Sequence, residues 1–121
     1  MYTTDALKKR MTDGAYDAEL SKLYPSGTVD AQKKRYCRVI GEFEEFYGEG
    51  REAGLFSAPG RTEIGGNHTD HNHGRVLAAS VNLDAIAVAA KSEGTVVNVK
   101  SEGYAMDTID TVSYTHLRAH E

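Results

Sequence analysis

Ala58-Pro-Gly-Arg-Thr-Glu-Ile-Gly-Gly-Asn-His-Thr-Asp-His71 packs a Pro-Gly pair, an arginine, a glycine pair, two histidines and an aspartate between two apolar segments. Gly60, Gly65 and Gly66 admit tight turns and close approach of backbone to a ligand. No Gly-Lys-Ser/Thr and no G-x-G-x-x-G is present, so the loop is neither a Walker A loop nor a dinucleotide fingerprint. Arg61 is a permanent cation whose planar donor fork suits phosphate or carboxylate. Asp70 can accept two hydroxyl protons at once, and Asn67 and His68 can each donate or accept. This set matches a polyol beside a phosphate better than an apolar ligand. The plain alternative is a solvated loop in which Arg61 and Asp70 form a surface ion pair of about 0–1 kcal/mol.

The run His68-Thr-Asp70-His71-Asn-His73 also raises a metal site for Zn²⁺ or Ni²⁺. An extended backbone separates 68 and 70 from 71 and 73, while a helix groups 68 with 71 and displaces 70. No partner ligand elsewhere completes a set, so no metal residue is assigned. A His-rich module on His68, His71 and His73 stays open as an alternative.

Upstream, Asp30 to Tyr47 has a helical period. Tyr36, Ile40, Phe43 and Tyr47 share one face, widened by Val39 and Phe46, with Lys34, Arg35, Arg38, Glu42 and Glu45 opposite. Asp30 is expected to cap its start and Gly48 to take the αL position at its end. Its charges oppose the helix dipole, with Lys33 to Arg35 early and Glu42, Glu44 and Glu45 late. The helix therefore depends on burying its aromatic face, and a sheet is the expected partner. Residues 3–23 read as one or two short helices before the Pro25-Ser26-Gly27 break. Leu55–Ala58 reads as a short strand entering a Pro59-Gly60 turn, and Arg75–Val81 and Asp84–Lys91 as two strands. After a Ser92-Glu93-Gly94 turn, Thr95–Lys100 is expected to pair with Tyr104–Ile109. Helices first and hairpin-connected strands after give an α+β class.

The 121 residues suffice for one domain or part of one, and a net charge of −4 argues against nucleic-acid or anionic-membrane partners. Cys37 has no disulfide partner in the chain and reads as a small core hydrophobe, with a reactive thiol as the alternative. The first ten residues lack the apolar core of a signal peptide, and Ala85–Ala90 is too short to span a bilayer. A cytoplasmic protein is expected.

Gly60-Arg-Thr-Glu-Ile-Gly-Gly-Asn-His-Thr-Asp-His71 resembles the galactokinase signature Gly-Arg-x-Asn-x-Ile-Gly-Glu-His-x-Asp-Tyr. The preceding aromatic helix, Gly74-Arg-Val-Leu77 and the Ala-rich strand extend the resemblance over roughly residues 30–110. It implies the GHMP small-metabolite kinases, a two-domain fold of which this chain is the start of the N-terminal α+β domain, itself ribosomal-protein-like. It further implies ATP- and Mg²⁺-dependent phosphorylation of galactose at its anomeric hydroxyl. By the same resemblance Arg61 is catalytic, stabilising charge at the reacting hydroxyl. Asp70 holds ring hydroxyls, His68 lies near the exocyclic hydroxymethyl, and Asn67 stands where the family has Glu. Glu63, Gly65 and His71 replace the family's Asn, Ile and Tyr. The family's Gly/Ser-rich ATP loop does not occur after Leu77, so no cofactor-binding residue is assigned and the fragment is expected to be inactive. A kinase-like sugar sensor without turnover is an alternative, as is a different hexose such as N-acetylgalactosamine.

Val112-Ser-Tyr-Thr-His-Leu-Arg-Ala-His-Glu121 fits, codon for codon, the translation of a transposase-type sequencing adapter, GTC TCT TAT ACA CAT CTC CGA GCC CAC GAG. His116 and His120 are set aside for that reason. The expected organisation is a helical extension over 1–27, a partial sugar-recognition domain over 28–111 and an adapter-derived tail over 112–121.

Overall fold

The computed structural model describes residues 1–66 and 69–112, with Asp70 described through its backbone alone. Two compact units divide at Ala90 and Lys91. The first holds strand β1 (Tyr2–Thr3), helices α1 (Thr4–Thr12), α2 (Asp17–Leu23) and α3 (Val29–Tyr47), strand β2 (Glu52–Gly65), a 3-10 turn (Asp70–Asn72) and strand β3 (Leu77–Ala89). The second holds β4 (Val96–Val99) and β5 (Asp107–Asp110).

Helix α3 buries Tyr36, Ile40 and Phe43, the face read from its period. Ile40 and Phe43 meet Leu7 of α1 and Ala53 of β2, with Tyr47, Leu55 and Val88 packed around them. Tyr36 joins Met11, Leu20 and Tyr24, with Cys37 and Ile86 at the margin. Burial of these side chains is the main stabilising term, at about 1.5–3 kcal/mol for each large apolar group. Cys37 thus packs as a half-buried apolar group, as its position predicts.

Three of the charges that oppose the α3 dipole, Lys33, Arg35 and Glu44, have partners from other elements. Lys33 Nζ lies 2.9 Å from an Asp17 carboxylate oxygen, and Arg35 reaches Asp84. Glu44, read from the sequence only as a late acidic residue, is buried and ion-paired with Lys8, while the Thr4 hydroxyl donates to it at 3.1 Å. The bond from Lys8 is the chief influence holding the Glu44 carboxyl below its usual range; burial opposes it and the Thr4 bond adds to it. Thr28, not Asp30, occupies the N-cap. Its hydroxyl donates to the Pro25 carbonyl at 2.6 Å and makes no capping bond, while Asp30 falls in the first turn, where its charge suits the dipole. Gly48 ends the helix at φ 93°, ψ 158°, outside the expected αL well.

The sheet order is β1-β2-β3, antiparallel throughout. Along β3, Asp84, Ile86 and Val88 are half-buried toward the helices, while Ala85, Ala87 and Ala89 are exposed, which is the period of two of a one-sided sheet. Two expectations are corrected. Pro59-Gly60 makes no turn, because β2 runs through it with Pro59 opposite Asp84. Proline is tolerated there because β2, past Ala53, pairs on one side alone among the described residues. The two strands expected over 75–91 are one, β3, with an irregularity where they were to be separated: Pro59 opposes Asp84 and Arg61 opposes Ser80.

In the second unit β4 and β5 pair antiparallel from Val96↔Asp110 to Val99↔Asp107. The expected hairpin is present, with its second strand beginning at Asp107 rather than Tyr104. The mixed helix-and-strand content is the α+β class read from the sequence. Among the described residues no helix is long and apolar enough to cross a membrane.

Candidate functional site

The polar stretch spans the end of β2 and the connection to β3. Arg61 lies on β2 with its side chain 76% exposed, and its guanidinium is 3.5 Å from a Glu63 carboxylate oxygen. Residues two apart on a strand share a face, so this contact is local. It is a contact of a kind that contributes little to stability and leaves the cation accessible. Asn67 and His68 lie outside the described residues, as does the side chain of Asp70. The Asp70 backbone opens the 3-10 turn Asp70–Asn72. His71 Nε2 is 3.4 Å from the Asn72 side-chain amide, and His73 adopts φ 62°. Among the described residues no group of three or more His, Cys, Asp or Glu is gathered to hold a metal ion.

Thr69, which carries no motif signal in the sequence, ties the loop together. Its hydroxyl donates to the Gly66 carbonyl at 2.8 Å, its amide bonds the same carbonyl at 3.1 Å, and its own carbonyl accepts from Gly74 N at 2.7 Å and Asn72 N at 3.1 Å. Two glycines make the closure possible. A Cβ at Gly74 would fall 2.4 Å from the Thr69 Cβ, and one at Gly66 would fall 2.0 Å from the Arg75 carbonyl oxygen. Gly66 also holds φ 83°, which strains any side chain. Of Gly60, Gly65 and Gly66, Gly65 has no close neighbour and Gly66 is the most tightly enclosed, while Gly74 adds a second steric requirement.

A second polar centre lies beneath the strand that carries Arg61. Asp84 Oδ2 accepts from the Tyr24 hydroxyl at 2.5 Å and from Ser57 Oγ at 2.6 Å, and Oδ1 accepts from Arg35 Nη1 at 2.7 Å. Arg35 Nη2 donates to the Asp84 carbonyl at 2.8 Å, and the Tyr24 and Tyr36 hydroxyls are 2.8 Å apart. Burial pushes the Asp84 carboxyl upward, but the bonds from Ser57, Tyr24 and Arg35, with the Arg35 charge, outweigh it and hold the group below its ordinary range. Burial, followed by the bond to Asp84, raises the Tyr24 phenol well above its ordinary value. The available signal was a lone carboxylate inside the apolar run from Val81 to Ala90, a position that demands partners.

An apolar groove of about 250 Å³ opens elsewhere in this unit, with Tyr2, Met11, Leu20, Leu55 and Phe56 in its walls. Arg61 is not among its lining residues.

The described unit is α+β, with an exposed arginine on β2 and a glycine-closed polar loop after it. The galactokinase galactose-binding signature matches residues 41–91, which takes in the second half of α3, all of β2, the loop and β3. The chain is 35% identical over 63 residues to a galactokinase of Lactococcus lactis subsp. lactis, covering 52% of this chain and 16% of that protein. It is 42% identical over 57 residues to one of Ligilactobacillus salivarius, covering 46% and 14%, and 32% identical over 73 residues to one of Streptomyces coelicolor, covering 60% and 19%. No solved structure gives a significant match. Residues 41–91 thus carry the galactokinase galactose-binding signature, and the chain spans less than a fifth of the length of these relatives.

Proposed function

We propose that the full-length protein carrying this segment is a cytoplasmic galactokinase of the GHMP type, transferring a phosphoryl group from ATP to the anomeric hydroxyl of galactose. The signature match over residues 41–91 carries this reading. Within a partial sugar-recognition domain over residues 28–111, the segment carrying the signature supplies one wall of the sugar site, with residues 1–27 as a helical extension. Arg61, accessible on β2, stabilises charge developing at the reacting hydroxyl. Asp70 accepts ring hydroxyl protons, His68 contacts the exocyclic hydroxymethyl, and Asn67 accepts a hydroxyl proton through its amide oxygen.

The residues present do not fit ATP or Mg²⁺. No Gly/Ser-rich phosphate cradle occurs after Leu77. Nucleotide and metal are therefore assigned to other parts of the full-length protein, and the 121-residue chain is inactive by itself.

The test is a galactose phosphorylation assay on the full-length protein and on this chain. Transfer by the first and none by the second is expected. Transfer by the 121-residue chain would refute its inactivity. Galactose binding without transfer in the full-length protein would replace the kinase with a sugar sensor.

A further inference from the structure

The Asp84 centre joins three places in the fold. Tyr24 ends α2, Arg35 and Tyr36 lie on α3, and Ser57 lies on β2. All of these contacts converge on or next to one carboxylate whose side chain is only 11% exposed. A charge so placed costs desolvation, and a well-packed apolar group would often hold helices to a sheet as firmly. What an apolar group would not do is fix register, which directional bonds achieve.

Register is what changes at this point. Asp84 stands opposite Pro59, yet the next pair is Arg61 with Ser80, so β3 carries additional residues against β2. Such an irregularity re-aims the side chains beside it. Gly60 sits against it so closely that a Cβ would lie 3.1 Å from Val81 Cγ2 and 3.2 Å from the Leu83 carbonyl oxygen. The next residue is Arg61. Asp84 therefore anchors one end of the irregularity from which the arginine emerges.

We infer that Asp84, held by Arg35, Tyr24 and Ser57, is a positioning residue for Arg61, fixing the strand register that aims the guanidinium at the sugar. The inference rests on the proposed sugar-kinase reading, and it acts through Arg61 rather than through contact with substrate.

The experiment uses the full-length protein with Asp84→Asn, Arg61→Ala and the double variant. Asp84→Asn is expected to lower kcat by about ten- to a hundredfold, the scale of a small misplacement at a reacting centre, with KM for ATP unchanged. In the Arg61→Ala background it should cost nothing further, because the group it positions is gone. Amide hydrogen exchange should quicken over residues 60–62 while the amides of α3 keep their protection. Wild-type kcat per folded molecule in Asp84→Asn, or losses that multiply in the double variant, would overturn the inference. Should Asp84→Asn fail to fold, Tyr24→Phe removes one bond to the carboxylate without changing charge and carries the same expectations. Should the wild-type protein transfer no phosphoryl group, the kinase reading fails. The exchange result then decides alone: quickened exchange at 60–62 upholds the positioning of Arg61, and unchanged exchange overturns it.

Discussion

Arg61 and Asp84 occupy one hairpin yet face opposite electrostatic circumstances. Arg61 is solvated and touches a neighbouring carboxylate on its own strand face, so its removal should leave Tm unchanged while lowering kcat by about a hundredfold, the typical loss for one donor to a developing charge. Thermal melts and steady-state kinetics on the full-length Arg61→Ala protein check both halves. Asp84 is the reverse case, a group whose charge serves the fold. Its carboxyl is held below the ordinary range of about 4, so its stabilisation is complete above that range and is lost as pH falls through its lower folded value. Denaturant midpoints from pH 7 to pH 3 should therefore fall less in Asp84→Asn than in the wild type. Arg61 was legible because a lone arginine beside glycines in a polar loop has few uses. Asp84 was not, because its partners lie 27 to 60 residues away and no spacing rule joins them.

At the scale of elements, α3 was the most legible part of the chain. Its aromatic face has a helical period over five turns, and Ile40 at its centre is fully buried. Ile40→Ala should cost about 2–5 kcal/mol, read from chemical denaturation. The hairpin was harder to read, because Pro59-Gly60 carries turn chemistry that the ladder overrides, and the irregularity in β3 splits one strand into two apparent ones. Loop closure by Thr69 was invisible for a different reason, since a threonine among histidines carries no signal until its hydroxyl is seen to face the backbone. Thr69→Val should weaken galactose binding by roughly fivefold, the equivalent of about 1 kcal/mol for one net hydrogen bond, and Thr69→Ser should not. Gly74→Ala should be worse than either, because the added carbon has no space beside Thr69. Isothermal titration with galactose distinguishes the three.

Over the whole molecule, the described residues leave Phe56, Ile64, Leu77 and Leu83 more than half exposed. Large exposed apolar groups beside strand edges are association surfaces. The 121-residue chain by itself should therefore elute from size exclusion as aggregate, and a monodisperse monomer would show that these strands need no further cover. The α+β class was readable from element order, and the likeness to galactokinases from twelve residues between Gly60 and His71. We propose that this loop is the galactose wall of a kinase. Its most direct test is galactose phosphorylation by the full-length protein, wild type against Asp70→Asn. Galactose-dependent transfer is expected in the wild type, and a raised KM for galactose, with KM for ATP unmoved, in the variant. Transfer indifferent to Asp70, or no transfer to galactose at all, would contradict it.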